Sequence, residues 1–187
     1  MKAFNCYAAE MIPIRMTIAI IVIAAVATMF AIGYHNFSIS NAEHEIASEW
    51  MVVESKLYSM LGSGVARDLN IPGDAEGTKR VHTFYFPSNM MFFSFGVDPD
   101  PDANGVLESD LTADGALVCY QLYGSSKHII WLEKEFLFRE GMFSGDQWII
   151  NEEGFIIDCS GLSTITFELV KDGGTEFILI QATDAYS

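Results

Sequence analysis

The sequence predicts an α+β protein in which a long N-terminal α-helix, transmembrane in its first half and amphipathic in its second, packs on an antiparallel β-sheet or sandwich. Three observations carry this expectation. Met16 to Tyr34 holds no charged residue, no Asn or Gln and no Pro. From Phe37 to Leu61 apolar residues recur at steps of three and four, with Glu and Ser between them. Beyond Gly62, short runs of β-branched and aromatic residues alternate with Gly, Asp, Pro and Asn. The chain divides accordingly into a short cytoplasmic or leader segment (1–15), a transmembrane or filament-core helix (16–34), its amphipathic continuation (35–61) and an extracellular β-rich domain (62–187).

The apolar run comes first. About 19 helical residues span roughly 28 Å, close to the hydrocarbon thickness of a bilayer. A cleaved secretory signal with its site at Ala31-Ile32-Gly33 is the competing reading, but signal cores are usually about 7–15 residues long. Lys2 and Arg15 precede the run, whereas the next positive charge is Lys56, after Glu43, Glu45, Glu49 and Glu54. Positive residues stay on the cytoplasmic side, so the N-terminus is expected inside and the domain outside.

The helix is expected to continue past the membrane. Phe37, Ile39, Ala42, Ile46, Trp50, Val53, Leu57 and Met60/Leu61 form one apolar face, ended by Gly62-Ser63-Gly64. Between Ile14 and Gly62 only Gly33 interrupts good helix formers, which gives one helix of about 48 residues, roughly 70 Å long. A bend at Gly33 to Asn36 is the alternative, and it leaves the architecture unchanged. The apolar face of the second half has to pack on something, most simply on the domain that follows.

That domain follows an irregular stretch from Arg67 to Thr78. Candidate strands are Val81–Phe86, Met90–Val97, Ala116–Tyr123, Ile129–Phe138, Gln147–Ile150, Phe155–Asp158, Ile165–Val170 and Glu176–Ala182. The last two flank Lys171-Asp172-Gly173-Gly174, a hairpin signal because tight hairpin turns need positive φ. The remaining length fits one domain of the usual ~100–150 residues. Cys119 and Cys159 are assigned to strands in an oxidising space, where a disulfide between them is the favoured reading and two buried free thiols the competing one; Cys6 falls on the reducing cytoplasmic side or at the interface. The many aromatics, such as Phe84, Phe92, Phe93, Trp131 and Trp148, read as sheet core.

Composition narrows the function. The chain has 25 Asp and Glu against 10 Lys and Arg, a net charge of −15, although 50% of its residues are hydrophobic. These values agree only because acid and apolar residues are segregated. So few basic residues leave no face for a phosphate backbone, which excludes nucleic acid as a partner. Four histidines show no metal spacing, and no metalloprotease, serine-hydrolase, phosphate-loop or dinucleotide motif occurs, so no enzyme is expected. Asn36-Phe37-Ser38 is the one glycosylation acceptor, and its place in a helix next to the bilayer favours its remaining unmodified.

One segment suggests a cation. From Asp100, the order Asp, x, Asp, x, Asn, Gly reproduces the start of a calcium loop, with Asp100, Asp102 and Asn104 as side-chain ligands, Val106 as a carbonyl ligand and Glu108 at the water-mediated position. The twelfth position is Leu111, so the bidentate carboxylate is missing unless Asp110 or a distant acid replaces it, and affinity would fall to about 10⁻⁴–10⁻³ M. The competing reading is an ordinary solvent loop, since Asp, Pro, Asn and Gly are what turns contain.

Taken with Ala8-Ala9-Glu10-Met11-Ile12-Pro13-Ile14-Arg15-Met16 leading straight into the apolar run, this organisation resembles the pilin-like proteins of archaea and, more broadly, type IV pilins. The resemblance extends loosely over the whole chain and rests on no single specific motif. It implies a structural subunit or minor component of a surface filament, used for attachment and held by its N-terminal helix in the membrane or among copies of itself. It also implies removal of a short basic leader. Lys2-Ala3 before Phe4 is similar to such a cut, but Glu10 then falls at the seventh mature position instead of about the fifth. A subunit-assembly role for Glu10 and Arg15 follows from the resemblance: in a bundle of apolar helices a carboxylate pairs strongly with a neighbour's terminal amine. A Glu facing lipid headgroups is the other reading. The alternative function is a non-polymerising anchored ectodomain that binds an extracellular ligand, with calcium as its cofactor.

Overall fold

The structure, a computed structural model, describes residues 7–108, 115–133, 136–144 and 147–183, excluding the side chains of 7–12, 143, 144, 147, 148, 182 and 183. It separates into two compact units, Met1–Asn41 and Ala42–Ser187. The fold is α+β, as the sequence predicts. Helix α1 runs from Tyr7 to Ser63, 57 residues, and includes Pro13. It therefore starts well before the expected boundary at residue 16, and no break occurs at Gly33 to Asn36.

In the first unit, the described side chains of α1 from Pro13 to Ser38 are all exposed. In the second unit the helix has a sealed face. Ala42, Ile46, Trp50, Val53, Leu57 and Met60 are buried at steps of four and three, the stripe a 3.6-residue repeat produces. Met51 and Val52, off the stripe, stay exposed. After Ser63 the helix closes with Gly64 N–H donating to the Met60 carbonyl at 2.7 Å.

Among the described residues ten strands follow: β1 (Arg67–Asp68), β2 (Lys79–Phe86), β3 (Met90–Phe95), β4 (Leu117–Leu122), β5 (His128–Trp131), β6 (Phe138–Ser144), β7 (Gln147–Ile150), β8 (Phe155–Ile157), β9 (Gly161–Asp172) and β10 (Thr175–Thr183). They form a six-stranded sheet in the order β1-β9-β10-β6-β7, with β2 also on β9, and a four-stranded sheet in the order β5-β4-β3-β8. The β9–β10 hairpin is the one expected from Asp172-Gly173-Gly174. Asp172 pairs with Thr175, and both intervening glycines have positive φ, 56° and 91°.

Two expectations are corrected. The four-stranded sheet is antiparallel as expected, but the six-stranded sheet is mixed, because β10 pairs with β6 and β9 with β1 in parallel. The run Ile129–Phe138 is not one strand. Its first part is β5, at the edge of the four-stranded sheet, and β6 begins at Phe138 in the other sheet. Phe136 N–H turns back to the Glu133 carbonyl at 3.0 Å, and Phe136 and Phe138 are fully buried. Burial of those two rings, not local β propensity, sets where the chain changes sheet.

The core between these elements is built of phenylalanine. Phe95 of β3 touches Trp50 of α1 (6.1 Å between ring centroids), Phe84 of β2 (6.3 Å), Phe138 of β6 (5.5 Å) and Phe167 of β9 (5.6 Å). Helix and both sheets thus meet on one ring, at separations where aromatic pairs gain about 0.5–1.5 kcal/mol beyond area burial. A second, smaller cluster (Phe92, Leu117 and Cys119, with Met91 and Leu107 against it) brings loop residue Leu107 onto the four-stranded sheet.

A buried carboxylate pins the irregular stretch after the helix. Glu168 is 1% exposed and accepts Arg67 Nη2 at 3.3 Å, the Gly77 N–H at 3.0 Å and Gln181 Nε2 at 3.5 Å, with Arg67 Nε 3.0 Å and Lys79 Nζ 4.0 Å away as ion-pair contacts. Gly77 lies so close to β9 that a Cβ there would fall 2.0 Å from the Leu169 carbonyl oxygen. Only glycine fits this approach.

Candidate functional site

The most exposed chemistry of the chain is the apolar surface of α1. An 18-residue window of the helix reaches a mean hydropathy of 2.5 with none of it buried, so the helix is long and apolar enough to cross a membrane. Ile20, Phe30 and Phe37 are 63%, 75% and 69% exposed. Each such side chain would gain about 1.5–3 kcal/mol on leaving water. Arg15 is exposed at the head of this surface. Glu10 is in the helical backbone, but its side chain lies outside the described residues. Asn36 is exposed on the same helix, in helical conformation.

The acidic loop is organised around its own hydrogen bonds. Asp100 is 1% exposed; its Oδ1 accepts the Asn104 N–H at 2.8 Å and its Oδ2 the Gly105 N–H at 3.0 Å. Asn104 donates to Asp102 Oδ2 at 2.8 Å and accepts the Val106 N–H at 2.6 Å. Ala103, at φ 56°, and Gly105, at φ 81°, make the sharp turn. Glu108 joins through its backbone, its N–H meeting the Pro99 carbonyl at 2.8 Å. The positive charge here comes from the protein: Lys127 Nζ lies 2.6 Å from Asp98 Oδ2 and donates also to the Asp100 carbonyl. Thus Asp100, Asp102 and Asn104 are drawn together, whereas Val106 and Glu108 enter through backbone N–H groups, and Asp110 and Leu111 lie outside the described residues. Among the described residues no three His, Cys, Asp or Glu side chains converge to hold a metal ion.

The expected Cys119–Cys159 disulfide is not formed; both thiols are free. Sheet order is the reason. Cys119 of β4 lies opposite Ser94 of β3, and Ser94 lies opposite Ile156 of β8, so β3 separates the two strands. Two strand spacings come to about 9.5 Å, beyond the roughly 7 Å Cα separation that a disulfide spans. Cys159 sits farther along, past the end of β8 at Ile157. The buried Cys119 thiol contacts Asp98 Oδ1 at 3.9 Å. Burial, reinforced by the Asp98 charge, pushes its pKa up to about 12, leaving it protonated and inert at neutral pH.

Two histidines that carry no motif prove to join the second half of α1 to the sheets. His82 of β2 places Nε2 3.1 Å from Glu49 Oε2 and Nδ1 3.1 Å from Lys56 Nζ. His128 of β5 places Nε2 3.0 Å from Glu43 Oε1 and stacks on Tyr120, with ring centroids 4.9 Å apart. Burial, then the Glu43 charge, raises the Tyr120 phenol above its ordinary value. An open pocket of about 370 Å³ lies between Arg67–Glu76 and β7. Its carboxylates serve the loop itself: Asp74 accepts the Asp68 and Ala75 N–H groups, and Asp172 accepts Asn70 Nδ2. Among the described residues that line it, no base is paired with a nucleophile.

No protein family, no curated protein and no solved structure matches this chain.

Proposed function

We propose that this chain is a pilin-like structural subunit or minor component of a surface filament, with α1 as the element that anchors it in a membrane and bundles it with other copies. The observation that carries this reading is the contrast along α1: a buried apolar stripe from Ala42 to Met60, but apolar side chains exposed on every side from Ile14 to Phe37. A surface of that kind is stable only in lipid or against other apolar helices. The similarity of Ala8–Met16 to archaeal pilin-like openings supports the second of these as the final state and lipid as the state before assembly. The charge pattern around the helix supports a cytoplasmic N-terminus and an outer domain.

Shearing native cells and identifying the released material tests the proposal. The chain is expected in sheared filaments, starting at or before Tyr7, with its unassembled fraction in membranes and released from them only by detergent. Complete retention in membranes after shearing would favour the anchored, non-polymerising ectodomain. A mature chain starting beyond Tyr34, or a soluble monomer without detergent, would overturn both.

A further inference from the structure

The buried stripe of α1 has polar grips on both flanks. Glu43 follows the stripe residue Ala42, whereas Glu49 and Lys56 precede Trp50 and Leu57; at about 100° per residue these positions fall on opposite sides of the stripe. Glu43 reaches His128 in the four-stranded sheet, and Glu49 with Lys56, two turns apart, reach His82 in the six-stranded sheet. Each sheet therefore holds the helix by one imidazole.

The two grips differ in proton count. An ammonium only donates, so Lys56 requires an unprotonated Nδ1 on His82, and Nε2 then carries the hydrogen that Glu49 accepts. Both ring nitrogens are used, and the side chain of His82 is only 15% exposed. The other groups around the ring are Phe84, edge-on at 4.6 Å, Ile165 opposite on β9, and Arg80 on the same face of β2, whose guanidinium is turned to the Lys79 carbonyl. His128 has Glu43 and Tyr120 beside it and no ammonium on its bonded nitrogen.

We infer that His82 is an acid-triggered release point for the last turns of α1. A proton taken from solvent at Nδ1 occupies the lone pair that held Lys56 and sets two cations 3.1 Å apart, so Lys56 leaves the ring. Glu49 keeps its hydrogen bond to Nε2, which becomes an ion pair, and the His128–Glu43 contact is strengthened in the same way. Acid therefore shifts the hold on the helix from its C-terminal end, at Lys56, toward Glu43 and Glu49. This inference is independent of whether the chain polymerises.

The test is nitrogen-15 NMR and hydrogen exchange on the full-length protein in detergent micelles. At pH 8, His82 is expected as the Nε2-protonated tautomer, with the Lys56 ammonium protected from solvent exchange. At pH 5 the Lys56 signal is expected to be lost, and the amides of 56–63 to exchange at least about tenfold faster relative to those of 43–49, once intrinsic rates are corrected. In Lys56→Gln, whose amide turns its oxygen to an imidazolium, that pH effect should vanish. An Nδ1-protonated tautomer at pH 8, equal protection of 56–63 at both pH values, or the same acid loosening in Lys56→Gln would overturn the inference.

Discussion

Lys127 Nζ lies 2.6 Å from Asp98 Oδ2 and also donates to the Asp100 carbonyl, so one ammonium just before β5 holds the acidic loop down on the four-stranded sheet. The same loop carries Leu107, which packs against the cluster around Cys119. Lys127→Met leaves the Asp98 carboxylate partly buried without its cation. A loss of about 1–3 kcal/mol is expected, measured by urea unfolding in micelles, with faster amide exchange at Asn104 to Val106.

Glu168 is the more costly carboxylate to remove. Glu168→Ala strands the Arg67 guanidinium and the Gly77 N–H, and a loss of about 3–5 kcal/mol is expected. Arg67→Met in the same background should cost far less than Arg67→Met alone. Additive losses in that double-mutant cycle would show that the ion pair is not the tie described above.

The two halves of α1 should respond in opposite ways to the same kind of truncation. Leu57, fully buried, should cost about 2–5 kcal/mol as Leu57→Ala, whereas Ile20→Ala should leave unfolding of the outer domain within about 0.5 kcal/mol of the parent. Chemical denaturation followed by Trp50 fluorescence, with Trp131 and Trp148 replaced by Phe, distinguishes them.

Alkali should weaken the fold through Cys119. Its folded pKa of about 12 lies above the ordinary 9.0, so above pH 9 the unfolded chain releases the thiol proton while the folded chain keeps it. That contribution to stability is complete below pH 9 and is lost as pH rises toward 12. Stability measured at pH 8 and pH 10.5 should fall less in Cys119→Ala than in the parent. Under native conditions at pH 8, iodoacetamide should label the partly exposed Cys159 and spare Cys119.

What could be read in advance was what depends on near neighbours. The stripe from Ala42 to Met60 is a 3.6-residue repeat, and Gly173-Gly174 satisfies a turn that needs nothing beyond its own backbone. The parallel pairing of β6 with β10 is decided by where Phe136 and Phe138 find room among distant rings, and no window of sequence holds that information. The cysteine pairing failed for the same reason, since strand order determines whether two strands touch. Lys127 and Asp98 are 29 residues apart, His82 and Glu49 are 33 apart, and His128 and Glu43 are 85 apart. A lone histidine opposite a lone glutamate leaves no spacing to recognise.

Gly77 sets unequal mutational latitude along one short connection. From Asn70 to Glu76 the backbone is in water, where added residues or new side chains have space to go. One position later, even a methyl group would strike the Leu169 carbonyl and lift the Gly77 N–H away from Glu168. Engineered insertions, tags or epitopes therefore belong before Gly77, and a library that randomises the connection should return glycine at Gly77, where a Cβ has no room, and favour it at Gly73, whose φ is 79°.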